Sequence, residues 1–235
     1  MREFPSRLEH LLSDKLERNG LSDYHDLIRP HARLTFLMRV SPENDFANVP
    51  LGKSRFGGTP DLPTTDCWAR NADDDLLLDF IAQINLSEIP AMGQPLPESG
   101  ILHIYAQQES ACDNKHSIRF STATKLVRAE VPGEDEFSDE DTDEPLGILL
   151  VTEFVPSISL PHSLTAFADS DDEFHDAYGE MKRELHNLPT QKEPTSRFLG
   201  HPFGAFLGDD QELLIEVQSH FHEVNAISTF GMLAA

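Results

Sequence analysis

The residues whose type and spacing most suggest chemistry are a run of carboxylates in the middle of the chain. Residues 130–144 contain nine Asp and Glu residues and no Lys or Arg. Such a run repels itself and lacks the apolar side chains that packing needs, so it predicts a mobile acidic loop over residues 132–146. A flexible anionic loop would attract a basic partner and raise the rate of association.

Eight of these carboxylates are predicted to contact that partner. They are Glu134, Asp135, Glu136, Asp139, Glu140, Asp141, Asp143 and Glu144. The alternative, which is the commoner explanation for a charge run, is an insert that only keeps the protein in solution.

A second candidate site is a polar pocket around Arg55, Gln83 and Asn85. Gln83 and Asn85 alternate on an otherwise apolar stretch, so both would lie on one face of a strand. Together with Arg55 they could line a pocket for a small polar molecule. The alternative, which we favour, is structural: the two amides satisfy backbone groups of the Gly- and Pro-rich loop at residues 51–63.

Gly52-Lys53-Ser54 resembles the end of a phosphate-binding P-loop. That motif needs a glycine five residues earlier, where this chain has Ala47, and a helix afterwards, which Gly57 and Gly58 oppose. Nucleotide binding through this loop is therefore excluded. Lys53 and Arg55 are expected to anchor the loop or to pair with acidic neighbours.

Asp139, Asp141 and Asp143 have the spacing of a calcium-binding loop. Glu144 and Leu150 occupy the positions at which that loop needs Gly and a bidentate Glu. The sequence therefore excludes an EF-hand.

His220 and His222 would lie on one face of a strand if the strand extended that far. His201, with His175 or His186, could complete a zinc site. One such pair among eleven histidines is weak evidence, so solvated or hydrogen-bonded histidines are expected instead.

The sequence shows no motif for nucleophilic catalysis. It has no Gly-x-Ser-x-Gly segment, and Cys67, next to Trp68, is interpreted as an ordinary thiol. No catalytic residue, metal or cofactor is predicted.

Composition excludes several classes of partner. The 235 residues include 41 Asp and Glu against 18 Lys and Arg, a net charge of −23. Nucleic acid and anionic membranes are excluded as partners, because binding them requires a surplus of positive charge. Neutralising the nine acids of residues 130–144 would still leave −14, so no basic half is masked.

The location predicted for the protein is the cytoplasm. The N-terminus has no apolar segment typical of a signal peptide, and no apolar stretch is long enough to cross a membrane. Cys67 and Cys112 are the only cysteines and are far apart, which is typical of a reducing compartment.

Hydrophobic periodicity predicts an α+β fold with a mainly antiparallel sheet. Apolar residues at helical spacing predict helices over residues 5–18 and 22–28, and a later amphipathic helix over residues 174–188. Strands are predicted at residues 34–38, 76–86, 101–106, 148–155 and 212–217, with one or two more in 117–131.

One short pattern occurs twice. Phe56-Gly57-Gly58-Thr59-Pro60 and Phe198-Leu199-Gly200-His201-Pro202 each precede an aliphatic strand, and the two strands carry Gln83 and Gln218. The pattern suggests a duplicated half. Two similar loops in a β-rich protein are an equally good explanation.

Four segments carry a family resemblance. Residues 52–63 (GKSRFGGTPDLP), 80–90 (FIAQINLSEIP), 97–105 (PESGILHIY) and 199–217 resemble, in order, the conserved blocks of the YwqG-like proteins. The resemblance spans about residues 50–220 and implies a single α+β domain over residues 1–235, with the N-terminal helices in residues 1–30. The family's final strand motif is missing, and the acidic insert is not part of the family pattern. The family supplies no catalytic residues to transfer.

Some YwqG-like relatives are encoded near secreted polymorphic toxins, which implies a toxin-neutralising role for those members. The leading hypothesis is therefore a non-enzymatic immunity protein that occludes the basic active-site cleft of a bacterial toxin. The alternative is a small-molecule-binding protein or enzyme that uses the pocket around Arg55, Gln83 and Asn85. A third hypothesis is a structural or regulatory partner unrelated to toxins.

Overall fold

In the part of the chain that the structure describes, three α-helices form where apolar residues recur at helical spacing. A computed structural model describes residues 4–71, 75–94, 96–107, 115–133, 148–162, 172–188, 195–201, 213–216 and 233–234 of the chain. The helices are α1 (Ser6–Arg18), α2 (His25–Ile28) and α3 (Asp172–His186). The predicted helix over residues 22–28 is divided, because a 3₁₀ turn, Ser22–Tyr24, precedes α2. No helix in this described part of the chain has the length and apolar character needed to span a membrane.

The strands are antiparallel in every pair whose register is described, which confirms the predicted α+β class with a mainly antiparallel sheet. The strands are β1 (Arg33–Glu43), β2 (Arg55–Phe56), β3 (Asp61–Pro63), β4 (Asp79–Asn85), β5 (Ile101–Gln107), β6 (Lys115–Ser121), β7 (Leu126–Arg128), β8 (Ile148–Ser159), β9 (Arg197–Phe198), β10 (Leu213–Glu216) and β11 (Leu233–Ala234). Strands β2, β3, β9 and β11 were not expected, because two or three residues are too few to show a periodicity of two.

The chain divides into two compact units. The first contains Met1–Arg39 and Phe154–Ala235, and the second contains Val40–Glu153. Strands β1 and β8 each run from one unit into the other. A single domain over residues 1–235 stays a prediction, since two compact units can belong to one domain.

In the first unit, helices cover a sheet with the strand order β11-β10-β9-β1-β8. Helix α1 buries Leu8, Leu12 and Leu16, and it contacts α3 through a 2.7 Å bond from Lys15 Nζ to Glu184 Oε2. Helix α3 buries the apolar face predicted for it. Its buried apolar side chains are Phe174, Tyr178, Met181 and Leu185.

In the second unit, the strand order is β8-β2-β4-β5-β6, and β3 pairs with β7 in a separate two-stranded sheet. Gln83 on β4 lies opposite Arg55 on β2 and opposite His103 on β5. In the small sheet, Asp61 lies opposite Arg128. These two registers bring the polar residues of β2, β3, β4, β5 and β7 to one place.

The two units contain the same local arrangement around Ser54-Arg55-Phe56 and Ser196-Arg197-Phe198. In each, Arg-Phe forms a two-residue strand between two longer antiparallel neighbours. On one side, the amide of Val151 donates to Ser54 O at 3.0 Å, and the amide of Met38 donates to Ser196 O at 2.9 Å. The backbone hydrogen bonds therefore match as well as the sequence.

The neighbour on the other side also matches. Gln83 lies opposite Arg55, and Glu216 lies opposite Arg197. The counterpart of Gln83 is therefore Glu216, two residues before Gln218, because pairing to the arginine fixes the register.

The turn after each arginine strand begins with two successive residues of positive φ. Gly57 and Gly58 have φ values of 70° and 71°, and Leu199 and Gly200 have 64° and 113°. A leucine in the left-handed region is unusual, so the shared fold of the turn outweighs the residue's own preference. Together with the matching strand pairs, the turns support the predicted duplication.

Candidate functional site

The structure brings together all three residues of the predicted pocket. Arg55 comes from β2, and Gln83 and Asn85 come from the same face of β4, as their alternation predicted. Arg55 and Gln83 are fully buried, and Asn85 is partly buried. The contacts of these side chains decide what they can do.

Arg55 forms a buried ion pair with Asp61. Its Nη1 lies 2.9 Å from Asp61 Oδ2, both side chains have no solvent exposure, and Nη2 donates to the carbonyl oxygen of Thr59. The guanidinium group also lies over the rings of Phe46 and Phe80, at 5.1 and 5.8 Å from their centroids. Burial lowers the pKa of Arg55 to about 10, against the opposing effect of Asp61. Arg55 therefore stays charged at neutral pH.

Asp61 is the centre of this cluster, although no motif in the sequence marks it as a site residue. Its carboxylate accepts hydrogen bonds from the Gly52 amide at 2.8 Å, and from Arg55, Gln83 and Arg128 at 2.9 Å each. Burial alone would raise the pKa of Asp61, but the bond from Arg128 and the charge of Arg55 bring it below the usual value. The carboxylate is thus held ionised.

Only a weak signal in the sequence pointed to Asp61. It lies six residues after Arg55 in a Gly- and Pro-rich segment. An Asp in such a segment is usually a turn residue, so its position alone does not indicate a site. Its other cationic partner, Arg128, is 67 positions away in the sequence. No local pattern connects residues so far apart.

The amide of Gln83 fastens the Gly- and Pro-rich loop at residues 51–63 at two places, before β2 and at the start of β3. Its Oε1 accepts from the Asp61 amide at 2.9 Å, and its Nε2 donates to Lys53 O and to Asp61 Oδ2, also at 2.9 Å. Gln83 is thus fully engaged by the loop. This is the structural role that the sequence analysis favoured for it.

Asn85 has a similar role at the start of the same loop. Its Nδ2 donates to Gly52 O at 2.9 Å, and its Oδ1 accepts from the amide of Ser87 at 3.1 Å. Its own backbone amide donates to Ser54 Oγ at 2.8 Å. A small-molecule pocket around Arg55, Gln83 and Asn85 stays a prediction, and any ligand there would compete with these bonds.

Three further residues complete the cluster. His103 Nε2 donates to Asp61 O at 2.8 Å, and burial lowers the pKa of its imidazole, so the ring is neutral at pH 7. Arg128 also donates to Phe46 O at 2.7 Å and to Val49 O at 2.8 Å. Lys53 pairs with Glu88 at 3.1 Å, which is the pairing with an acidic neighbour that the sequence offered as one of two alternatives.

The structure describes only some of the residues of the other predicted sites. The eight partner-binding carboxylates, from Glu134 to Glu144, lie outside the described residues, as do His220 and His222. Within the described residues, no three His, Cys, Asp or Glu side chains are grouped so that they could hold a metal ion. Cys67 is an exposed free thiol.

The arrangement in the second unit is therefore a buried network of charge. One carboxylate lies between two guanidinium groups, and the neighbouring amides and imidazole bond the backbone. This network holds residues 52–61 in place, because Gln83 and Asn85 of β4 and Arg128 of β7 bond Gly52, Lys53 and Asp61.

Comparison with known proteins places most of the chain in one family. A family model described as "Domain of unknown function (DUF1963)" matches residues 54–225, which is more than two thirds of the chain. The matched segment includes Arg55, Asp61, Gln83, Asn85, His103 and Arg128 of the network and both Ser-Arg-Phe segments. No curated protein matches the chain.

Proposed function

Because the chain belongs to the DUF1963 family, whose function is unknown, we propose a role from its own physical chemistry: a non-enzymatic protein that binds a basic protein partner. The observation that carries this proposal is the charge. The chain has a net charge of −23, and nine of its 41 acids fall within residues 130–144. Charge of this density and sign accelerates association with a cationic surface and selects against anionic ones.

The buried network supports a binding role more than a catalytic one. The side chains of Arg55, Gln83 and Asp61 are engaged with each other and with the loop backbone. Such groups make a loop rigid, and a rigid scaffold reduces the entropy lost when a partner binds. The alternative of a small-molecule-binding protein or enzyme at Arg55, Gln83 and Asn85 would require these bonds to be exchanged for ligand bonds.

The partner we propose is a bacterial toxin domain, and the acidic residues would occlude its basic active-site cleft. Support for this finer proposal comes from the resemblance to YwqG-like proteins, some of which are encoded near polymorphic toxins. Enzymes that act on nucleic acids carry basic clefts, because their substrates are polyanions. An immunity protein would meet its toxin in the cytoplasm, where we propose that this protein acts.

The test is binding to the product of the adjacent toxin-like gene, measured by calorimetry at 50 and 300 mM NaCl and by relief of toxicity on co-expression. We expect a complex that weakens at least tenfold at the higher salt, because exposed charges are screened. The proposal is overturned if no complex forms at 50 mM NaCl and no toxicity is relieved.

Two variants with equal charge locate the binding surface. The first changes the eight acids from Glu134 to Glu144 to their amides. The control changes eight exposed acids elsewhere: Glu17, Asp23, Asp26, Asp66, Asp75, Glu98, Glu173 and Asp176. We expect the first variant to lose most of the affinity and the control to keep most of it. Equal losses would show that net charge alone drives binding and would contradict the assignment of the acidic segment.

A further inference from the structure

Four hydrogen bonds join one face of α3 to the end of β8 in the first unit. The residues of α3 that make them are Tyr178, Lys182, Leu185 and His186, which lie on one side of the helix because their spacing is i, i+4, i+7 and i+8. All four are buried. Their partners lie within residues 157–162, at the end of β8 and just after it. We call this set of bonds the α3–β8 contact.

Three of the four bonds do not involve an imidazole ring. Acidification preserves them, because a hydroxyl or ammonium group remains a donor and a backbone carbonyl remains an acceptor. The three bonds run from Tyr178 Oη to Pro161 O at 3.0 Å, from Lys182 Nζ to His162 O at 3.2 Å, and from Ser157 Oγ to Leu185 O at 2.6 Å.

The fourth bond requires that His186 be neutral. The backbone amide of Leu160 donates to His186 Nε2 at 3.4 Å, so the neutral ring carries its proton on Nδ1. Nδ1 is buried and has no hydrogen-bond partner among the described residues. A second proton would turn Nε2 into a donor that faces the Leu160 amide, and it would charge a side chain that is only 5% exposed. The closed contact therefore accepts the neutral ring and disfavours the charged one.

The charged groups around His186 act in the same direction as burial. Burial lowers the pKa of His186 well below its usual value, and Arg197 of β9, Lys182 of α3 and His201 after β9 lower it further. These three groups also make other contacts, so the inference rests on the ring of His186 and not on unpaired charge around it. The other titratable ring at the contact is His162, whose pKa is lowered by partial burial and by Lys182.

The sign of the pH dependence follows from the two environments of the ring. Once α3 separates from residues 157–162, the ring of His186 is solvated and its pKa returns to about 6.5. The stability contributed by the neutral ring is complete above that pH and decreases as the pH falls toward the lower folded-state pKa. While the closed ring stays neutral, the equilibrium constant for opening is proportional to 1 + 10^(6.5 − pH), which rises about tenfold from pH 7.5 to 5.5.

We propose that acid opens the α3–β8 contact through His186. The ring takes up one proton, the bond from Leu160 is lost, and the C-terminal end of α3 separates from residues 157–162. This device uses no residue of the acidic segment, so it can operate whether or not the proposed partner binding occurs.

The test is amide hydrogen exchange of the full chain at pH 7.5 and 5.5, with rates expressed as protection factors so that the intrinsic effect of pH is removed. In the wild-type protein, the protection of the Leu160 amide should fall about tenfold or more. His186→Gln supplies an acceptor that does not titrate, so its protection should fall less than about threefold. Unchanged protection in the wild type overturns the proposal, and so does an equal fall in His186→Gln.

Two controls show that the effect is local and belongs to His186. His162→Gln removes the other titratable ring at the contact and should keep a fall of about tenfold. The amide of Leu12, inside α1, should keep its protection within about twofold. A fall at Leu12 as large as that at Leu160 would mean that the whole unit opens, which contradicts a local device.

NMR of the wild-type ring keeps the result decisive if His186→Gln fails to fold. At pH 5.5 the ring nitrogen signals of His186 should remain those of a neutral imidazole with its proton on Nδ1. A ring that titrates near pH 6.5 while the Leu160 amide keeps its protection would show that the closed contact tolerates the charge, and the proposal would fail.

Discussion

At the scale of single residues, Asp61 organises the second unit. Four donors converge on its carboxylate, and two of them, Arg55 and Arg128, are cationic. A buried ion pair contributes little net stability compared with an apolar pair, but removing one partner leaves an unpaired buried charge. The contribution of Asp61 to stability is therefore measured mainly by removing its charge.

Asp61→Asn should destabilise the protein by roughly 3–5 kcal/mol, because Arg55 and Arg128 lose their shared counter-charge while Arg55 stays buried. The measurement is the free energy of unfolding in urea at pH 7. Asp66→Asn is the control, since Asp66 is exposed, and it should change stability by no more than about 0.5 kcal/mol.

The same comparison has a defined pH dependence. The folded-state pKa of Asp61 is lowered from 3.8, so its contribution is complete above that value and is lost as the pH falls toward the folded-state pKa. The difference between the wild-type protein and Asp61→Asn should therefore be constant from pH 7 to 5 and shrink below about pH 4. A difference that grows in acid would contradict the assignment.

At the scale of elements, the two arginine strands and their turns form a repeated unit. The glycine at the second turn position has no space for a side chain in either copy. A Cβ on Gly58 would lie 2.8 Å from the ring of Phe46, and a Cβ on Gly200 would lie 2.7 Å from Ser159 Cβ. Positive φ values at both positions add backbone strain for any other residue.

Gly58→Ala and Gly200→Ala should each destabilise the protein by about 2 kcal/mol or more, through strain of about 1–2 kcal/mol plus the steric contact. Gly179→Ala is the matched control. A Cβ at Gly179 meets nothing within 4 Å, and the position lies inside α3, so alanine should stabilise by roughly 0.5–1 kcal/mol. The readout is the urea midpoint. A neutral result at either Gly58 or Gly200 would count against equivalence of the two turns.

At the scale of the whole molecule, the dominant property is the net charge of −23. Charge of one sign destabilises a compact state through self-repulsion, although it favours solubility and steers a basic partner. The charge is not confined to one segment, since −14 remains outside the acids of residues 130–144. Stability and binding should therefore respond to salt in opposite directions.

Raising NaCl from 20 to 200 mM should raise the Tm by a few degrees, because the Debye length falls from roughly 20 Å to about 7 Å and screens the repulsion. The variant with eight amides between positions 134 and 144 should show a smaller rise. Differential scanning calorimetry in a phosphate-free buffer measures both. A Tm that is unchanged or lower at 200 mM NaCl would show that self-repulsion is not a major term.

The sequence by itself determined the features that depend on neighbouring residues. Helical spacing is local, so α1 and α3 were predicted close to their observed bounds, and β5 and β8 followed from aliphatic runs. The placement of Gln83 and Asn85 on one face of β4 followed from alternation alone. The repeated turn was also visible, since Gly and Pro mark turns directly.

Only the tertiary structure decided the contacts between distant residues. Arg128 reaches Asp61 across 67 positions, and His186 of α3 and Arg197 of β9 bond the neighbouring residues Leu160 and Ser159 at the end of β8. Strand register likewise assigned Glu216, and not Gln218, to the position equivalent to Gln83. The physical reason is that burial and pairing depend on which surfaces meet in the folded chain, and a linear pattern contains periodicity and charge but not the partner on the facing surface.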